Sequence, residues 1–381
     1  MEAIKRQRIF LSLYFFLSGV CFSTWTSRIP TIKANFNFND AELGTVLLFM
    51  PISSMIGLPL SGWLVSRFDT RQPMTVAIIM LCISMSFIGW APNTLALIVA
   101  VSLFAFSMRI MNIAINTQAL TLQKLFEKKI TGGLHGLWST GGIVGIGIST
   151  LFVAFDVGMA THFSLVAVII IGVAIYSYQN LLTGDRSTQP NSFKGFKPDP
   201  YIVYLGVIIF CALLCEGGMF DWSGVYFKEV VNERIFTVGY LIFMICMATS
   251  RFASDWLMEK FGMPKTFLMS SGLVMAGITL AVIFPYFWTA MVGFCLVGFG
   301  AAPVIPMTYI LAGLSKKYSP GVTVSIIATY GIVGMLIGPP LIGYISNAVG
   351  LRIAFVSFAL SGFMLIPISQ LFFKYQKKMQ D

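Results

Sequence analysis

The chain has 381 residues, 57% of them hydrophobic and 10% charged, with a mean hydropathy of +0.83. An ordinary soluble chain carries roughly 25% charged residues, so this one has too few to cover the surface of a soluble protein, which excludes a soluble enzyme, a disordered chain and a nucleic-acid binder. The net charge of +10 on so apolar a chain points to loops facing an anionic membrane surface.

A bilayer-spanning helix needs roughly 20 mostly apolar residues, and twelve such windows follow one another. After Lys5, Arg6 and Arg8, span one covers about 9–28; no small-residue cleavage site ends it, so it reads as a helix rather than a signal peptide. Span two covers about 42–65 and is followed by Arg67 and Arg71; spans three and four cover about 73–91 and 94–118. Span five, about 132–154, opens on His135, Trp138 and Ser139, and span six runs over about 160–182. The longest internal polar stretch, Thr183–Pro200, is rich in Pro, Ser and Thr and reads as a flexible linker. Spans seven to nine cover about 200–226, 236–258 and 265–284, and spans ten to twelve about 286–314, 322–346 and 351–373. A membrane β-barrel is excluded, because its strands would be short and alternating.

Of the 25 Lys and Arg, placing the N-terminus inside puts 18 on the inner side and five on the outer, with Arg109 and Arg251 inside spans. Both termini are therefore expected in the cytoplasm. The six Cys all fall in apolar spans without metal-ligand spacing, which predicts buried small hydrophobes. The halves also repeat. Trp63–Phe68 recurs as Trp256–Phe261, Gly142–Gly145 as Gly331–Gly334, and Thr24-Trp25-Thr26 as Asp221-Trp222-Ser223, at similar offsets. Parallel six-helix repeats with a midplane site between them are the plan of one transporter class. The expected architecture is an all-α membrane protein of twelve transmembrane helices: an N-terminal six-helix bundle at 1–182, a cytoplasmic linker at 183–199 and a C-terminal six-helix bundle at 200–381.

A charged side chain within the bilayer costs at least ~2.5–3.5 kcal/mol, so it tends to face a wet cavity or a partner. Glu216 lies about 24 Å into span seven at the helical rise; an isolated carboxylate there is a ready proton acceptor, the property proton coupling needs. Asp221 is a second proton-coupling candidate, and its depth matches that of Arg28 in the repeat-equivalent span. The two form either an outer-gate pair or two solvated interfacial charges. Arg109, Asn112 and Asn116 share one helix face and, with Trp25, Arg28, Trp138, Ser139 and Trp222, are the candidate substrate-binding residues. Aromatic faces of that kind stack on a sugar or hold a cation. Arg251 and Asp255 have the spacing of an in-helix pair; with Arg67, Arg71, His135, Glu259 and Lys260 they are the candidate gating residues. No phosphate-binding loop, His-rich helix or paired-Cys cluster occurs, so no metal or other cofactor is expected.

The loop Gly62, Leu64, Arg67 and Arg71 resembles the loop motif G-x-L-x-D-R-x-G-R-[KR] of the major facilitator superfamily, with Ser66, Asp69 and Thr70 departing from it. Trp25–Pro30, Leu134–Ser139, Glu216-Gly217 with Asp221-Trp222, and Gly338–Tyr344 resemble the bacterial YbjJ-like inner-membrane branch of that family. The resemblance implies the twelve-helix fold and secondary transport in a bacterial inner membrane. The expected function is alternating-access, proton-coupled symport of a small polar organic solute, sugar-like or organic-acid-like. The alternatives are proton-driven efflux of amphiphiles and a non-transporting solute sensor; an enzyme is not expected. The expected partners are the solute, protons and membrane lipids, with no nucleic acid, and a monomer is expected.

Overall fold

The computed structural model describes residues 2–126, 130–186, 199–315, 317 and 320–378. Among them are twelve helices long and apolar enough to cross a membrane, in the windows expected from hydropathy. The protein is multi-pass and all-α.

The chain divides into two compact units, Met1–Asn37 with Val46–Pro190, and Phe38–Thr45 with Asn191–Asp381. The first carries α1 (Glu2–Thr26), α2 (Ile29–Asn35), most of α3 (Asp40–Arg67), α4 (Arg71–Gly89), α5 (Thr94–Gln123), α6 (Thr131–Ala154) and α7 (Met159–Ser177). Local chemistry sets several of these boundaries. The Asn93 side chain accepts from the Ala96 N–H at 2.9 Å and starts α5 as its N-cap. Span one does not stop at residue 28: Ser27 and Arg28 make a turn, and α2 restarts with Pro30 in its first turn, where the missing N–H costs nothing.

The second unit carries α8 (Pro200–Glu229), α9 (Thr237–Phe261), α10 (Met263–Ile283), α11 (Phe287–Gly313), α12 (Pro320–Val349), the short α13 (Leu351–Ala354) and α14 (Val356–Lys378). Span twelve is thus two helices, broken at Phe355. Asp199 caps α8 by accepting from the Tyr201 N–H at 3.2 Å, with Pro200 opening the helix. In the same unit Asp40 accepts from Ser346, and Thr45 Oγ1 lies 3.1 Å from Tyr344 Oη.

The packing repeats as the sequence does. In the first unit α1 runs along α6, and α4 along α5 and α7; in the second α8 runs along α12, and α10 along α11 and α14. Lipid tails are as apolar as side chains, so such contacts depend on close fit rather than on escape from water. At the α1–α6 seam the fit is backbone to backbone. A Cβ on Gly141 would lie 2.0 Å from the Phe16 carbonyl oxygen, and one on Gly19 equally close to that of Trp138. The equivalent α8–α12 seam uses Gly334, whose Cβ would meet the Phe210 carbonyl at 2.5 Å. Gly141→Ala is expected to force the helices apart and to cost about 1–3 kcal/mol. A lower midpoint in thermal unfolding of the detergent-solubilised protein checks this; an unchanged midpoint contradicts it.

Tyr226 shows how polar groups are settled in this interior. Its ring packs between Phe294 and Phe355, and its hydroxyl donates to the Ala281 carbonyl at 2.8 Å. Five Cys are buried and Cys295 is half-buried; all are free thiols.

Candidate functional site

Glu216 sits in the middle of α8, 5% exposed. Arg251 of α9 donates from Nη2 to Glu216 Oε1 at 2.8 Å. The other carboxylate oxygen, Oε2, is buried without a hydrogen-bond partner among the described residues. A charge-assisted bond is strong inside a low-dielectric interior, and an unmet lone pair there is correspondingly costly. The pair is therefore half satisfied, and the carboxylate has one oxygen free to take a proton. Gly217 keeps the next position open, since the nearest atom to a Cβ there would be Met335 of α12 at 3.6 Å.

The sequence did not point to this pairing: Arg251 reaches across to α8. Asp255 lies one turn further along α9, and its side chain is outside the described residues. Further along α8, Asp221 is half-buried and Trp222 fully buried. Trp222 Nε1 and the neighbouring Ser223 Oγ are both buried with no partner among the described residues.

The first unit mirrors this at the equivalent place. Trp25 is 1% exposed and packs on Phe104 of α5, with ring centroids 5.7 Å apart. Its Nε1 and the Thr24 hydroxyl are again buried without a partner among the described residues, as is the hydroxyl of Ser107, one turn from Phe104. Such full burial is unlike the interfacial aromatic belt, where the ring's polar edge is wet. Arg28, four-percent exposed, is held inside its own unit: Nε donates to His162 Nδ1 at 3.2 Å and Nη2 to the Val157 carbonyl at 2.9 Å.

On α5, Arg109 is half-buried and donates from Nε to Ser54 Oγ of α3 at 2.7 Å. Asn116 donates to the Asn112 carbonyl at 2.8 Å, so the polar stripe is joined along the helix. On α6, Trp138 packs on Phe22 with centroids 5.8 Å apart, Ser139 is buried, and the His135 ring meets Phe15 edge-on at 5.3 Å. These α6 groups line the α1 side of the glycine seam.

Among the gating candidates, Arg67 is exposed, and Arg71 stands over the Tyr178 ring at 4.9 Å. Glu259 is exposed, and Lys260 lies over the Trp256 ring at 4.6 Å. The loop between α3 and α4 has a second layer that the sequence reading did not find. Asp185 accepts from the Thr70 N–H at 2.9 Å and from the Thr70 hydroxyl, and Gln118 of α5 donates to that hydroxyl at 2.8 Å. Arg186 pairs with Asp69 at 3.1 Å. Asp185 and Arg186, read from composition as part of a flexible linker, are thus tied down. The signal was present: Asp69 and Thr70 stand where the loop motif carries Gly and a basic residue, which invites an acid and a base from elsewhere.

The Gly184 backbone N–H, and then Arg186, hold the Asp69 carboxyl below the usual carboxylate range. A carboxyl lowered in the folded state stabilises fully above its unfolded value of about 3.9 and loses that contribution as pH falls through the folded value. Asp69→Asn should therefore cost up to about 1 kcal/mol at neutral pH, the size of an exposed pair. The difference from wild type should vanish in acid, as read from unfolding midpoints across pH. A difference that grows in acid contradicts the assignment.

Among the described residues no group of His, Cys, Asp and Glu is placed to hold a metal ion. Several solved structures share the fold. The nucleoside transporter NupG aligns with a TM-score of 0.76 over 97% of this chain and 99% of its own, at 13% identity. A bacterial homolog of the human lysosomal transporter Spinster aligns with 0.75 over 97% of both chains, at 16% identity. In sequence, the chain is 31% identical over 356 residues to an uncharacterized MFS-type transporter of Yersinia pestis, covering 93% of this chain and 92% of that one. It is 28% identical over 365 residues to the membrane protein MosC of Rhizobium meliloti, covering 95% and 89%. The model of the Major Facilitator Superfamily matches residues 11–275 and 238–379. The chain belongs to the Major Facilitator Superfamily.

Proposed function

We propose that this secondary transporter of small solutes carries a polar organic solute, sugar-like or organic-acid-like, in symport with protons. The observation that carries the reading is the half-satisfied Glu216: one oxygen on Arg251, the other buried and unpartnered. Protonation of that carboxylate weakens its hold on Arg251 and lets the guanidinium contact an anionic or hydroxyl-bearing solute. The unpartnered donors at Trp25, Thr24, Trp222 and Ser223 support the same reading, since buried donors left unmet by protein are suited to acceptors that come and go. Arg109, with Asn112 and Asn116, supplies a further polar face.

In this account residues 1–182 and 200–381 are the two moving halves and 183–199 the cytoplasmic linker. The protein works as a monomer in a bacterial inner membrane with both termini inside, as a member of the YbjJ-like branch that its strings Trp25–Pro30 and Leu134–Ser139 resemble. Asp221 is the second proton-coupling group, and the helix-end residues Arg67, Arg71, Glu259 and Lys260, with His135, Arg251 and Asp255, take part in gating.

A thermal-shift screen of the purified protein against sugars, amino acids, organic acids and cationic dyes supplies the ligand. Proteoliposomes with an entrapped pH-sensitive dye then test the function. Symport predicts that adding the solute outside acidifies the lumen. Solute uptake with no pH change overturns proton coupling, and stabilisation by dyes alone favours amphiphile efflux.

A further inference from the structure

A further buried polar network lies where α1 gives way to α2. Arg28 occupies the turn between the two helices, and its Nε donates to Nδ1 of His162, a fully buried residue near the start of α7. The other ring nitrogen, Nε2, lies 3.5 Å from Ser149 Oγ of α6. Ser149 in turn donates to the Gly145 carbonyl at 2.9 Å. The proton inventory then has one solution. Ser149 spends its proton on Gly145, so it accepts from Nε2–H. Arg28 brings only donors, so Nδ1 must carry a lone pair. His162 is neutral, in the Nε2–H tautomer, and the Phe152 ring packs edge-on to it at 4.8 Å.

The network spans four pieces of one unit. Gly145 sits in the seam where α6 touches α1, since a Cβ there would lie 2.8 Å from the Val20 carbonyl oxygen. Arg28 also donates to Val157 in the turn between α6 and α7. A guanidinium held by one imidazole nitrogen and one carbonyl is fixed in direction, yet it has no carboxylate among these two acceptors to hold it permanently.

We propose that His162 is a positioning residue: in its neutral Nε2–H form it stows Arg28 within the first unit, and Arg28 engages solute or gate only by leaving it. The inference rests on Arg28 acting in solute binding or gating; the placement by His162 is tested independently of transport.

The chain has only two histidines. Uniform 15N-histidine labelling of the full-length protein in nanodiscs therefore gives two ring systems, and His135→Asn assigns them. At neutral pH, His162 is expected to show a single Nε2–H tautomer, and Arg28→Gln to convert it to a mixture. An Nδ1–H tautomer, or a spectrum indifferent to Arg28→Gln, overturns the proposal. A second measurement reads Arg28 itself, through phenylglyoxal modification followed by peptide mass spectrometry. His162→Ala should raise the modification of Arg28 about tenfold, the change expected for one lost charge-assisted hydrogen bond. His162→Asn, which restores an acceptor near the Nδ1 position, should bring protection back. Equal modification in all three proteins contradicts the proposal. If His162→Ala does not fold, the wild-type tautomer and the Asn variant decide it. A transport assay in which Arg28 proves dispensable removes its part in solute handling and leaves the tautomer result standing.

Discussion

Arg251→Met is expected to destabilise the protein by about 3–5 kcal/mol, because it strands the Glu216 carboxylate in a buried place with neither oxygen met. The size follows from the asymmetry of buried pairs. Bringing two charges together out of water roughly breaks even, whereas removing one leaves the full desolvation cost of the other. A rescue is expected in Glu216→Gln/Arg251→Met, where both charges of this pair are removed together, and most of the loss should be recovered. Unfolding midpoints of the four proteins in a double-mutant cycle check this. If the double variant is as unstable as Arg251→Met alone, the arginine acts through packing rather than through the carboxylate.

Glu216→Gln alone is expected to separate two activities. Accumulation of solute against its gradient should fall to the equilibrium level, since the group that binds and releases the proton is gone. Exchange of labelled for unlabelled solute, which needs no net proton movement, should persist. Counterflow in proteoliposomes reads the second and gradient-driven uptake the first. Accumulation equal to wild type removes Glu216 from the coupling.

The twelve spans were legible because a window of about 20 apolar residues is a requirement of bilayer thickness. The recurrence of Gly142–Gly145 as Gly331–Gly334 was legible as a repeat, and it falls on the α6 and α12 seams, where close helix approach favours small residues. Partners across helices were not. Arg251 finds Glu216 35 residues away in the chain, a meeting that no local spacing marks. His162 likewise gave no sign of holding Arg28, 134 residues distant. Asp185 and Arg186 were lost in a composition that reads as linker, though the loop between α3 and α4 needs them. What composition and period reveal is what each helix must do alone; which side chains meet is a property of the assembled unit.

The central claim is that Glu216 exchanges the coupling proton, and proton-linked binding tests it most directly. Titrating the solute into purified protein by calorimetry, in buffers of different ionisation enthalpy, yields the number of protons taken up or released on binding. The account predicts a clear dependence on buffer in wild type and a much weaker one in Glu216→Gln, where Asp221 alone remains to exchange a proton, with binding retained in both. The same dependence in both proteins would place the proton on another group and contradict the account.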